Sequence, residues 1–560
     1  MTTTRLLPHE VNDFDFIIVG GGTAGCVVAR RLADYLPRKK ILLIEAGPSD
    51  FGDDRIQLLK EWEALIGGAF DYDYETTEQP EGNSFIRHCR AKVLGGCSSH
   101  NTLITFRPFA ADCARWVEKG CEGWDFDTFT RLVDKLRTTF QPVAYKHRAK
   151  IVEDFVTASA AALQLPVVHD FNHEIRETGG TNGVGFLSVA YNPDDGRRNS
   201  ASSAYIHPLL AQKERCPNLT ILTDAWVNRI IVKHEKAMGV DITLQHGENL
   251  VLRQKLEIVV CAGAIDSPRL LLLSGIGPRD DLSKLNIPVT AEVPGVGHNL
   301  IDHPETVLVW ELEQRVPPGQ TTMYSDAAVL FRRDQVSTHA SDPYLTSDDD
   351  VTIPNAMLHM YTIPLCLNTE RLGYETPQYG FSITPNIPRP LSRGQLYLTS
   401  NDPKVKPALD FKYFTDPEGH DKATLLAGVK AARLVAQQSP LKEWLKREIA
   451  PGPSIQTDHD LSTYARKVAH SVYHPAGTCK MGNIHRDRMA VVDPALKVRA
   501  VQNLRVADAS VFPDMPTINP MITVLAIGER MAEVLAAAYA GPAHASSDYQ
   551  TTDPGRGAKL

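Results

Sequence analysis

The feature that most constrains the fold stands near the N-terminus. Asp15-Phe16-Ile17-Ile18-Val19 is a short apolar, β-branched run, and Gly20-Gly21-Gly22-Thr23-Ala24-Gly25 follows it directly. From Cys26 to Leu36 small and apolar residues recur at helical spacing until Pro37, so the order is strand, glycine turn, helix. A second apolar strand, Ile41-Leu42-Leu43-Ile44, ends in Glu45, 20 positions after Gly25. A βαβ unit that binds a dinucleotide keeps its ribose-binding carboxylate at about that distance. Each glycine has a steric task. Gly20 makes the tight turn, Gly22 lets a pyrophosphate reach the backbone, and Gly25 lets the helix lie close against the strand, with the helix N-terminus facing the phosphates. The first part of the chain is therefore a Rossmann-like α/β unit.

The rest of the chain is organised around a second glycine cluster, Ala91-Lys92-Val93-Leu94-Gly95-Gly96-Cys97-Ser98-Ser99-His100-Asn101-Thr102. Its small residues admit a close approach of backbone to a bound group, and an imidazole is held beside them. Helical patterns occupy parts of Pro108 to Phe140, around Trp116 and Trp124, and the stretch Ile151 to Leu163. Residues from about Asn172 to Ser200 are rich in Gly, Asn, Asp and Arg and predict exposed loops over a cleft. Asn218 to Val232 and Lys255 to Cys261 read as strands returning to the first domain. The block Ala262 to Gly277 reads as a helix opened by Ser267-Pro268 and closed by Ser274-Gly275. From Thr306 to about Lys412, alternating segments broken by Pro, Gly, Asn and Asp predict an antiparallel sheet, and helices follow at Asp421 to Gln438 and Asp458 to Ala469. A last strand, Asn503 to Ser510, contains Asp508; a helix then starts with Asn519 as N-cap and Pro520 in its first turn and runs to about Ala537. That helix start would point its positive end at a ring that becomes anionic on reduction.

Charge and cysteine content narrow the function classes. A net charge of -8 without a basic block speaks against a nucleic-acid surface. The nine cysteines are odd in number, scattered and without a C-x-x-C pair, as expected of free thiols in a reducing compartment, and no metal site is implied. Met1 to Asn12 lacks a signal-peptide core, and no run is long and apolar enough to span a bilayer. Asn218-Leu219-Thr220 then matches a glycosylation acceptor by chance only. Ala558-Lys559-Leu560 is similar to a peroxisomal address, so the expected compartment is the peroxisome, otherwise the cytoplasm.

Gly20-x-Gly22-x-x-Gly25, the Gly95 to Asn101 loop, the Ala262 to Gly277 block and His474-Pro475-Ala476-Gly477-Thr478 with Asn519-Pro520, all in order from about Asp13 to Leu535, resemble the glucose-methanol-choline (GMC) family of flavin oxidoreductases. Arg87 to Val93, Asp302-His303-Pro304-Glu305, Tyr413 to Asp421 and Val472-Tyr473-His474-Pro475 carry a closer resemblance to its choline-oxidising members. The fold so implied is α/β (α+β overall). A discontinuous FAD-binding domain takes residues 1–160, 201–305 and 460–540, a substrate-binding domain with an antiparallel sheet takes 161–200 and 306–459, and 541–560 form a tail.

The resemblance implies FAD as the cofactor, with Thr23 and Ala24 on the pyrophosphate, Glu45 on the adenosine ribose and Tyr72 nearby. Val93, Gly96, Asn101 and Thr102 would line the flavin, Val227 would touch the adenine, and Asp508, Ala509, Pro520 and Met521 would hold the ribityl chain and the pyrimidine end. His100 matches the histidine that bonds covalently to the flavin in these members. His474 and Asn519 match the catalytic pair, and His359 a further histidine on the alcohol; which imidazole takes the hydroxyl proton stays open. Glu305 would face a quaternary ammonium between Trp62 and Tyr473, while Leu365 stands where a further aromatic is expected and Thr322 to Asp326 offers one tyrosine. The implied reaction is oxidation of a primary alcohol, choline above all, to the aldehyde and on to the acid, with oxygen reduced to hydrogen peroxide. Two other readings are an oxidase or dehydrogenase of small neutral or aryl alcohols and a non-catalytic relative that retains FAD. Oligomeric state, including a homo-oligomer, stays open.

Overall fold

A computed structural model describes residues 14–317, 323–336, 353–366 and 368–540. Met1 to Asn12, Thr322 and the tail 541–560 with Ala558-Lys559-Leu560 lie outside the described residues. Five parallel strands form one sheet in the spatial order Leu504–Val506, Gln254–Val260, Phe14–Val19, Ile41–Ile44, Leu219–Leu222. Phe16, Ile17, Ile18 and the whole run Ile41 to Leu43 are fully buried, as expected of parallel strands covered on both faces. The register places Val19 opposite both Ile44 and Val260, and Val260 opposite Val506. The strands therefore end level, and the residues just beyond their carboxyl ends are Gly20, Glu45, Cys261 and, one step after Ala507, Asp508.

The first helix, Thr23–Tyr35, starts directly after the glycine turn. Gly20 has φ +99°, and a Cβ on it would stand 2.5 Å from the Cys261 carbonyl oxygen; a Cβ on Gly25 would stand 1.9 Å from the Gly20 carbonyl oxygen. Both positions require glycine for packing, whereas a Cβ on Gly22 would meet nothing nearer than 3.8 Å, an ordinary contact. The helix Met521–Tyr539 packs against the first helix and reaches the same end of the sheet.

The second sheet is antiparallel and holds the predicted strands between Leu308 and Asn386, whereas Gly394–Tyr397 and Ala408–Asp410 pair with His298–Leu300 in a separate three-stranded sheet. The main order of the second sheet is Leu445–Ala450, Leu308–Leu312, Gly380–Asn386, Ala356–Tyr361, Ala327–Phe331, Gly183–Phe186, and the short strands Pro304–Glu305 and His470–Ser471 pair at one corner. Here the expectation for 172–200 is corrected. Phe171–Thr178 is a helix capped by Asp170, and Gly183–Phe186 is a fully buried edge strand of this sheet. Glycine content there reflects contact: a Cβ on Gly185 would lie 2.1 Å from the Val168 carbonyl oxygen.

Three further sequence expectations shift. The helix after the Cys261 strand spans Gly263–Leu273, so Pro268 stands inside it and Ser267-Pro268 does not open it. A proline there cannot donate to the carbonyl four residues earlier, Ala264. The Thr478 hydroxyl donates to that oxygen at 2.6 Å instead, which ties the Ala262 block to the His474 block. Thr478→Val should leave the buried carbonyl unpaired and cost about 1–3 kcal/mol, read as a lower urea midpoint at unchanged slope. An unchanged midpoint would mean that water satisfies the carbonyl. The C-terminal helix is capped by Pro520 without a side-chain bond, so Asn519 is not its N-cap. Asn218, finally, donates to the carbonyls of Ala33, Leu36 and Lys39, which gives its side chain a structural task. All nine cysteines are free, and among the described residues no helix is long and apolar enough to cross a membrane.

Candidate active site

One long cavity runs from the carboxyl ends of the parallel strands to the corner of the antiparallel sheet. At the first end it is lined by Gly20, Gly22, Thr23, Ala24 and Glu45, and by Tyr72, Trp226 and Val227. The N-terminus of the first helix opens here without an acidic residue in its first turn and without a side-chain cap, so its amides are presented to whatever fills the cavity. Glu45 Oε2 accepts from the Gly21 amide at 2.9 Å and Oε1 from the Gly47 amide at 2.8 Å. Burial raises this carboxyl to about 7 against those two bonds. The Trp226 indole nitrogen is buried and has no protein partner. A glycine cradle, an uncapped helix start and an orphaned indole donor together fit a dinucleotide.

The middle of the cavity is bounded by Gly96, Cys97, His100, Asn101 and Thr102 on one side and by Asp508, Ala509, Asn519, Pro520 and Met521 on the other. Gly95 and Gly96 take φ +89° and +54° and turn the loop against the Gly22 backbone. Val93, expected to line the flavin, is buried beside Ile56 and Leu65 and is not among the residues that line the cavity. Gly25 likewise supports the cradle from behind. Asp508 accepts from the Gly263 amide, the Ser267 hydroxyl and the Ser510 amide, so it fixes the loop ends around the cavity.

His100 Nε2 lies 2.9 Å from the Leu65 carbonyl oxygen. A carbonyl only accepts, so Nε2 carries the hydrogen and Nδ1 keeps its lone pair. Burial lowers this imidazole to about 4, which holds it neutral at pH 7. Asp71, Cys89 and His100 bring three potential metal-donor atoms together. The Cys89 thiol, however, donates to Asp71 at 2.6 Å, and burial and that carboxylate push it far up, so it is held as a thiol and not as a ligating thiolate.

At the far end stand His474, His359, Glu305, Trp62 and Tyr473, the residues that the sequence names for chemistry and substrate. His303 Nε2 is 2.9 Å from the Pro388 carbonyl oxygen and 3.1 Å from that of Pro516. It therefore carries its hydrogen on Nε2 and offers a bare Nδ1. His474 Nδ1 is 2.9 Å from that atom, so it is the donor. Burial first, then the neighbouring His303, holds His474 well below the usual imidazole range. A neutral His474 with its hydrogen on Nδ1 has a lone pair on Nε2, the geometry of a general base. Burial lowers His359 to about 4, and its Nε2 is buried without a partner. The backbone behind His474 is held by Asp302, which accepts from the His474 amide at 2.9 Å and from the Tyr413 and Ser471 hydroxyls, each at 2.5 Å. Tyr473 sits at φ +63° with its amide bonded to the Ser471 hydroxyl, so one tight turn aims the ring and the imidazole.

Sequence reasoning missed several positions in or beside the cavity. Tyr361 lines the cavity with Trp62 and Tyr473, whereas Leu365 packs beside Val307, Ile449 and Tyr464, and neither it nor Tyr324 reaches the cavity. The aromatic wall is thus more complete than the sequence suggests. Trp226 and the orienting pair His303 and Asp302 were also unassigned, although all of them lie in or beside stretches that the sequence marks out.

A family model described as GMC oxidoreductase matches residues 14–305, and its C-terminal counterpart matches residues 390–528. The chain is 39% identical to choline oxidase from Arthrobacter globiformis over 94% of its own length and 95% of that protein. It is 32% identical to oxygen-dependent choline dehydrogenase from Staphylococcus haemolyticus over 94% of this chain and 93% of the other. Among solved structures, pyridoxine 4-oxidase from Mesorbium loti is similar with a TM-score of 0.82 and 26% identity, covering 93% of this chain and 98% of that one.

Proposed function

The chain belongs to the GMC oxidoreductase family of flavin enzymes, and on that footing we propose that it is an FAD-dependent oxidase of choline or a close quaternary-ammonium alcohol. The product is the aldehyde and, through its hydrate, the acid. The observation that carries this reading is a buried carboxylate, Glu305, sharing one cavity end with three aromatic side chains, Trp62, Tyr361 and Tyr473, and with the bare Nε2 of His474. A methylated cation is attracted to aromatic faces by roughly 0.5–2 kcal/mol per ring. The names of the two choline-oxidising relatives agree with that chemistry.

The residues divide the work. Glu305 and the aromatic wall hold the cationic head, which fixes the hydroxyl end toward His474, His359 and Asn519. His474 Nε2 takes the hydroxyl proton, and the resulting imidazolium, still bonded through Nδ1 to His303, stabilises the alkoxide. His359 Nε2 and the Asn519 amide supply further polar contacts to the same oxygen. FAD, bound in the cradle, would supply the acceptor for the hydride of the alcohol carbon, with molecular oxygen as the final electron acceptor. Thr23, Ala24 and Glu45 would hold its adenosine diphosphate end, and Asn101, Asp508, Ala509, Pro520 and Met521 its flavin end.

His100 is the covalent attachment point in this reading, because a neutral buried imidazole with a free lone pair is a competent nucleophile. Acid-denatured wild-type protein should keep its yellow colour through washing, and His100→Asn should release its flavin. A wild-type pellet that loses all colour rejects the link.

The experiment that tests the function is oxygen uptake with a panel of alcohols, scored together with peroxide release. Choline should lead. Faster turnover of a neutral or aryl alcohol, as the pyridoxine 4-oxidase likeness would allow, favours the alternative reading, and absence of flavin bleaching with every alcohol favours a non-catalytic relative.

A further inference from the structure

Glu305 has a partner that the reaction does not use. Its Oε1 lies 3.2 Å from His470 Nδ1, and the two residues are cross-strand neighbours in the pairing of Pro304–Glu305 with His470–Ser471. Both side chains are buried, at 2% and 4% exposure. The other atoms of the pair, Glu305 Oε2 and His470 Nε2, have no protein hydrogen-bond partner. Among the described residues His470 is the one ion-pair partner of this carboxylate.

We propose that Glu305 and His470 hold one proton between them in the substrate-free enzyme, and that a quaternary ammonium seated against the aromatic wall expels it. This rests on the proposed cationic substrate and makes His470 the positioning residue that sets its selection. An isolated carboxylate sealed from water costs several kcal/mol, and nothing around Glu305 supplies a compensating charge. Asp302 is a second carboxylate, already bonded to three donors, and it raises Glu305 further. The Tyr361 and Tyr473 phenols are pushed up, and the His359 and His474 imidazoles down, by burial. Burial likewise brings Glu305 to about 8 and His470 to about 4, so at pH 7 the pair is neutral overall.

In the neutral pair the imidazole carries its hydrogen on Nδ1, which lies 3.3 Å from the Ser471 carbonyl oxygen as well as 3.2 Å from Oε1, and the carboxyl carries the further proton. When the cation arrives, that carboxyl proton leaves to solvent, and Nδ1–H donates to the carboxylate left behind. One positive charge comes in and one proton goes out, so the buried site keeps its net charge.

The test uses the FAD-loaded enzyme and tetramethylammonium, a cation with no hydroxyl. Calorimetric titration at pH 7 in buffers of different ionisation enthalpy should give about one proton released per cation bound. Affinity should rise about tenfold per pH unit below the Glu305 midpoint and level off above it, as linkage to one proton requires. His470→Phe should move that bend upward by a pH unit or more at unchanged flavin content. His470→Gln, which restores a donor, should bring it part of the way back. Glu305→Gln should bind weakly with no proton release. Binding without proton release in the wild type, or a His470→Phe profile that overlays the wild type, overturns this inference while Glu305→Gln still reports the cation site. If tetramethylammonium binds wild type and Glu305→Gln alike, the substrate reading falls and this inference with it.

Discussion

His474→Ala is expected to lower kcat by about 10²–10³ while FAD stays bound. The magnitude is that of removing one preorganised donor to an oxyanion, roughly 2.7–4 kcal/mol, and His474 is placed to act first as acceptor and then as that donor. The fall should appear equally in kcat and kcat/KM, since the interaction is made in the transition state. The control is His474→Gln, which keeps volume and a polar end but cannot carry the proton; it should stay close to the alanine variant. A fall of less than tenfold, with flavin content and spectrum intact, would move the base to His359, the other buried imidazole with an unpartnered Nε2.

Glu305→Gln should raise the KM for choline by about two to three orders of magnitude and leave 3,3-dimethylbutan-1-ol, its neutral isostere, nearly unchanged. Opposite charges 4 Å apart interact by about 4 kcal/mol at an effective dielectric of 20, less the desolvation of the carboxylate. The substitution conserves shape, so it separates charge from packing. Steady-state kinetics with both alcohols checks it. Equal effects on both would mean that Glu305 shapes the pocket and does not read the cation, and the neutral-alcohol reading would then stand.

The parts of this protein that were legible in its sequence are those fixed by local sterics. The Gly20 to Gly25 turn could be read because a left-handed turn at Gly20, and a position at Gly25 where a Cβ would stand 1.9 Å from the Gly20 carbonyl oxygen, admit no side chain. Glu45 and Asp508 could be placed because parallel strands deliver whatever follows them to one edge, whereas His474 and Asn519, which follow no strand of that sheet, were reached through the family resemblance. What the sequence concealed depends on tertiary partners. Pro268 looks like a helix start until Thr478 is seen to take the carbonyl it frees. The Gly- and Asn-rich stretch after 172 looks exposed because its small residues serve close packing against Val168 and Phe171. Tyr361 enters the aromatic wall from the last position of a buried strand, where no local pattern separates a pocket residue from a core residue. His303 lay in a block already singled out, next to Glu305. A His two residues before the carboxylate was the available signal, and its role appears only when two proline carbonyls fix its tautomer.

The parallel sheet receives its edge strand, Leu504–Val506, from far along the chain, beside a strand ending at Val260. The cavity likewise takes residues from Val19 to Val524. During synthesis, the glycine cradle leaves the ribosome long before its opposite wall exists. Until then the Gln254–Val260 strand has an unpaired, fully apolar end at Ile258 to Val260, a template for wrong partners. A complete cavity exists only once the sequence-distant halves have met, so the first glycine motif alone offers a cofactor one wall of its site.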